Sequence, residues 1–197
     1  MVSKRLFAIA ALVGAVAVPA TAIAQSVNLT RSIFADQPYT IIYPEGMGVS
    51  GGAGEPLTIN HPDIPLQCDL TVVPVEDTSW TAESALSGLD KDEVVAAWTE
   101  SFPGFTLGAT GTTPYQNATA LIYEGSSESS SMNMPITLVH TETVTSGRGY
   151  SLDCIYSTAG AEQIRPAVDF IIANFSTRSD ADCCIGVTTD TEASPAQ

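Results

Sequence analysis

The hydrophobic period of this chain changes twice between Leu66 and Tyr156, and that double change restricts the fold more than any other feature. From Leu66 to Val75, the residues Leu66, Cys68, Leu70 and Val72 alternate with Gln67, Asp69, Thr71 and Val73. A period of two is expected of a strand with one covered face. The period then lengthens. Asp90 can cap a helix whose third residue is Glu93, and Val94, Val95, Trp98 and Phe102 follow at helical spacing until Pro103 and Gly104 stop it. Strand-like stretches return at Phe105–Thr110, Ala118–Glu124, Met134–Val144 and Tyr150–Tyr156, joined by the turn-rich connections TTPYQN, GSSESSSMN and TSGRG. Short connections impose antiparallel neighbours.

The flanks extend this pattern. Tyr39–Gly48 reads as a strand stopped by Pro44 and a turn at Glu45 and Gly46, and a glycine-rich loop, GVSGGAGEP, leads to a short strand at Leu57–Asn60. The last regular element is a helix through IRPAVDFIIANF, with Ile164, Val168, Ile171, Ile172 and Phe175 on one stripe. Pro166 is expected in its first turn, where a missing N–H costs little. An antiparallel sheet of about six strands must bury one face, and two amphipathic helices are available to cover it. The expected class is α+β.

The chain opens with Lys4 and Arg5, an apolar run from Leu6 to Val18, and the small-x-small pattern Ala22, Ile23, Ala24. This is the pattern of a cleaved export signal, 1–24, and the apolar run is shorter than the roughly 20 residues of a membrane span. No cysteine stands at the expected cleavage point, which argues against a lipid anchor. Cleavage removes two of the 7 basic residues and none of the 22 acidic ones, taking the formal charge from −15 to −17. Phosphate backbones are bound by basic surfaces, so nucleic acid is excluded as a partner. The expected organisation is a leader strand or loose arm at 25–36, one domain at 37–176, and an acidic, disordered tail at 177–197. The expected location is the periplasm or the outside of the cell.

The start YTIIYPEG, the mid-chain helix, the following meander and the closing RPAVDFIIANF helix together resemble the PsbP-like superfamily. That superfamily is named for an extrinsic subunit of photosystem II and includes a nuclear-import factor that binds the GTPase Ran. The resemblance runs from Phe34 to Ser176. It implies an α/β/α sandwich and roles that are mostly protein binding rather than catalysis. No set of family functional residues matches well enough to carry over, and the glycine-rich insert at Gly46–Gly54 and the cysteine-bearing tail depart from a minimal family domain.

Few groups offer chemistry. GVSGG, Gly48–Gly52, matches G-x-S-x-G, and a hydrolase would use Ser50 as nucleophile, His61 as base and Asp63 as its orienter. That elbow needs a strand before the serine and a helix after it, whereas here the loop runs into Pro56 and another strand. His61 and His140 share no metal-ligand spacing with each other or with a cysteine, and neither DADCC nor DTE completes a calcium loop. Nothing in the sequence fixes the separation of Asp63 and Asp69 that a glycosidase pair would need. No cofactor is expected.

Four cysteines in an exported chain suggest bridges, and four allow three pairings. Tyr150, Leu152, Cys154 and Tyr156 share a face, as do Leu66, Cys68, Leu70 and Val72, so Cys68 and Cys154 lie on the apolar side of one sheet and are expected to bond. Cys183 and Cys184 follow the last helix. A vicinal bond between them is geometrically awkward, because adjacent Cα atoms are only about 3.8 Å apart across a trans peptide. Redox, intermolecular and incidental roles stay open for this pair. The expectation is an exported binding or accessory protein with an unidentified protein partner and no catalysis. A Ser50 hydrolase and an envelope structural or adhesion module are the alternatives.

Overall fold

The computed structural model describes residues 27–30, 37–52, 54–130 and 133–179. The chain order is β1 (Val27–Thr30), β2 (Thr40–Pro44), β3 (Gly48–Gly51), β4 (Leu57–Asn60), β5 (Leu66–Pro74), α1 (Ala82–Gly88) and α2 (Lys91–Ser101). It continues with β6 (Thr106–Pro114), β7 (Thr119–Ser127), β8 (Ile136–Thr145), β9 (Arg148–Ser157), α3 (Ala161–Ala173) and β10 (Phe175–Ser176). Seven strands form the main sheet in the order β3-β4-β5-β9-β8-β7-β6, and β1-β2-β10 form a small second sheet. Every pairing is antiparallel.

The alternation within β8 divides the interior in two. Val139 points into a core shared with α3 and the small sheet, where Ile41, Ile59, Leu152, Val168, Ile171 and Phe175 are fully or almost fully buried. Ile136 and Leu138 point the other way, into a core with Phe102, Phe105, Leu121 and Tyr123 that Leu86, Val94, Val95 and Trp98 of the α1–α2 layer partly cover. Helices thus pack on both faces of the main sheet. Gly125 of β7 is required in the second core, because a Cβ there would lie 2.0 Å from the Phe105 ring. On the first side, Cys68 and Cys154 pair directly across β5 and β9 and are joined by a disulfide with a Cα–Cα separation of 4.0 Å.

The sequence reading and the structure part at four places. The glycine-rich stretch is not a loop throughout: Gly48–Gly51 is an edge strand, with Val49 opposite Ile59 and Ser50 opposite Thr58. Its partner lies nearby in the chain, and glycine tolerates both the φ of +78° at Gly51 and the Pro56 carbonyl that a Cβ would strike. A third helix, α1, was absent from the expectation. Its signal is a capping box in which Thr81 accepts from the Ser84 backbone and Ser84 accepts from the Thr81 backbone. The main sheet has seven strands rather than about six, and β2 belongs to the second sheet. Lastly, a 3₁₀ turn at Thr158–Gly160 runs directly into α3, so the helix begins at Ala161 and Pro166 is its sixth residue, not part of its first turn.

Candidate functional site

On the side of the main sheet that carries α1 and α2, one row of side chains runs across all seven strands. Its members are Ser50, Thr58, Asp69, Asp153, His140, Tyr123 and Thr110, each directly opposite the next. Directly opposed residues in a sheet project from the same face. The row is therefore one line of polar groups.

Its central part is tightly bonded. His140 is buried, with Nδ1 2.5 Å from Asp153 Oδ1 and Nε2 3.5 Å from Glu142 Oε2. The Tyr123 ring stacks on the imidazole at a centroid distance of 4.3 Å, and Trp98 Nε1 donates to Tyr123 Oη at 2.8 Å. Burial pulls the His140 pKa down, but the hydrogen bonds and charges of Asp153 and Glu142 outweigh it and raise the group to about 9. At neutral pH the ring is an imidazolium. Burial pushes Tyr123 up to about 12, so its phenol stays neutral. Through this chain of contacts, α2 is fixed to β7, β8 and β9.

Beyond Asp153 the face opens. Asp69 accepts from Thr58 Oγ1 at 2.5 Å and from Gln67 Nε2 at 2.7 Å, and Ser151 Oγ donates to Asp153 Oδ2 at 3.2 Å. Gln67, Asp69, Thr71 and Val73 of β5, with Ser151 and Asp153 of β9, are half-buried or exposed, in contrast to the buried Cys68, Leu70 and Leu152 that lie between them in sequence. The α1–α2 layer covers β6, β7 and part of β8 and leaves this strip of β5 and β9 uncovered. The disulfide sits one residue away, on the opposite face, and ties the two strands of the strip together.

The hydrolase triad is not assembled. His61 Nδ1 accepts from the backbone N–H groups of Asp63 and Ile64, at 3.1 and 3.2 Å, which makes it the cap of the turn before β5. Ser50 stands opposite Thr58, three residues before His61, a displacement of about 10 Å along an extended strand. Among the described residues, no group of three histidine, cysteine, aspartate or glutamate side chains has a geometry that could hold a metal. Cys183 and Cys184 lie outside the described residues, as do the leader and most of the tail.

Sequence reasoning placed His140 in a strand but missed its network and the row. A signal was present. Once Cys68 and Cys154 are set opposite each other in antiparallel strands, Asp69 and Asp153 become the next opposed pair. The partnership of His140 with Asp153 depends on the register of β8 against β9, which the TSGRG turn sets.

No family model matches the chain, and no curated protein matches it in sequence. Similar folds do occur among solved structures. The cyanobacterial PsbP (CyanoP) of Synechocystis overlaps 81% of this chain and 96% of its own, with 10% identity and a TM-score of 0.54. The Ran-binding protein Mog1p of Saccharomyces cerevisiae overlaps 78% of this chain and 96% of its own, with 7% identity and a TM-score of 0.50. No helix among the described residues is long and apolar enough to cross a membrane. With its antiparallel sheet held between α3 on one side and α1–α2 on the other, and with this overlap, the chain has the PsbP-like fold.

Proposed function

We propose that this chain is an exported binding or accessory protein that holds a protein partner on the uncovered strip of β5 and β9 and carries out no reaction of its own. The observation behind this reading is the strip itself: a polar face left open by the helices, backed by a disulfide and flanked by the ion pairs of the buried His140. A stiff sheet with exposed side chains loses little freedom on association, which favours binding. Mog1p, of similar fold, is named for binding Ran, a protein partner. A bridge between Cys68 and Cys154 is at home in the oxidising compartment that the leader sequence suggests.

The test is site-specific photocrosslinking in the native compartment. A photoreactive residue at Thr71, in the strip, is compared with one at Glu162, on α3. Crosslinks to a partner from position 71 and not from 162 are expected, and the reverse pattern would overturn the reading. Deleting 180–197 is a second arm. Retention of the partner fits the strip, and its loss would move the binding site to the tail.

A further inference from the structure

Charge along the strip is unbalanced. Asp69 and Asp153 are directly opposed, a like-charge arrangement that is ordinarily unfavourable in a sheet. Glu142 lies close by through His140. Against these three carboxylates the network supplies one cation, the His140 imidazolium, bonded to Asp153 and Glu142. Asp69 is held by two neutral donors, Thr58 and Gln67. The centre of the strip is therefore anionic.

Each end of the strip carries an apolar hollow. At the row where Val73 opposes Gly149, a hollow of about 350 Å³ has Val73, Val75, Trp80 and Val144 as its apolar lining, with Glu142 and Ser151 also on its wall, and Val73 is 48% exposed. At the row where Gln67 opposes Ile155, a hollow of about 300 Å³ is lined by Ile64, Leu66, Phe102 and Ile155. Positions 67, 69, 71 and 73 all project from one face. The anionic pair thus stands two residues from one hollow and four from the other, or about 7 and 14 Å at the rise of a strand.

An extended peptide repeats its side chains on one face at the same even intervals. The geometry points to an extended basic segment of a partner protein as the occupant: an arginine or lysine seated between Asp69 and Asp153, with one apolar side chain two residues to one side and another four residues to the other. This rests on the strip being the binding face and goes further by naming what it binds. Charge complementarity selects the central residue, and the hollows select its flanks.

The probe is a blocked nine-residue peptide with the pattern apolar-x-Arg-x-x-x-apolar, together with its reversed sequence and versions with glutamate or citrulline at the arginine position. Binding is followed by fluorescence anisotropy with the whole mature protein, and the site is mapped by amide chemical-shift perturbation. At least one orientation is expected to bind, with shifts confined to β5, β9 and their flanks. Glutamate in place of arginine should weaken binding at least tenfold, and citrulline should weaken it several-fold. Asp69→Asn changes a half-buried side chain and Val73→Ser an exposed one, and each should weaken binding about three- to tenfold with the fold intact. Equal binding of the arginine and glutamate peptides, indifference to Asp69→Asn, or shifts on another face would overturn the inference. A neutral or acidic partner segment crosslinked at position 71 would overturn the basic-peptide inference while leaving the strip as the binding face. Absence of any crosslink there would remove both.

Discussion

The two faces of β5 and β9 solve opposite problems with neighbouring residues. On one face Cys68, Leu70, Leu152 and Cys154 are almost wholly buried beneath α3 and the small sheet, and a covalent bond joins the strands. On the other, Asp69 and Asp153 oppose each other in a region without a helical cover. Stability is concentrated on the first face, and electrostatic imbalance on the second. A disulfide one residue from a repelling pair suggests that the closed face holds the open one in a geometry it would not favour alone.

That contrast can be broken in order of expected size. Replacing both cysteines, Cys68→Ala with Cys154→Ala, should remove about 4.6 kcal/mol in the chain-entropy picture for a sequence separation of 86, measured by urea unfolding against the oxidised parent. If stability were unchanged, the closed face would not be what holds the strands. Next, His140→Leu leaves Asp153 and Glu142 without their cation and should cost about 3 kcal/mol, less than the cysteine pair.

A third effect lies in pH. The folded pKa of His140, about 9, exceeds the ordinary value of 6.5, so its contribution is complete below about pH 6.5 and is lost as the pH rises through 9. Wild-type stability should fall across that window by on the order of 2 kcal/mol, since each unit of pKa shift corresponds to about 1.4 kcal/mol and a coupled site delivers only part of it. The fall should vanish in His140→Gln. Denaturant midpoints at pH 6 and 9.5 would show it, and an equal fall in the variant would assign the effect to other groups. The smallest change is expected at Asp69→Asn, within about 0.5 kcal/mol of the parent, because the side chain is partly solvated and stays hydrogen-bonded. A large loss there would mean that the open face stabilises the fold.

Much of the architecture was legible because strand alternation and helix spacing are local signals. The Leu66–Pro74 strand, the Asp90 cap and the shared face of Cys68 and Cys154 follow from neighbours within a few residues. Asp90 accepts from the Asp92 and Glu93 backbones, as the capping pattern implies. What escaped was non-local or weakly patterned. A glycine-rich edge strand has no hydrophobic period to read, and α1 is only seven residues long. The start of α3 was displaced because a 3₁₀ turn carries no apolar stripe. The polar row could not be read from any single strand, since its existence depends on the registers of six pairings at once.

The Cys68–Cys154 bond also gives the chain a covalent topology of its own. It closes a ring that contains α1, α2, β6, β7 and β8, and with them every buried side chain of the second core. Two arms leave this ring. The segment before Cys68 supplies β2, the segment after Cys154 supplies α3 and β10, and the arms meet where Phe175 pairs with Ile41. One protease cut in the ring, as in the exposed Glu128–Ser129 bend, therefore leaves a single molecule whose fragments separate only on reduction. A cut in either arm leaves a piece held by hydrogen bonds and packing, with no covalent tie.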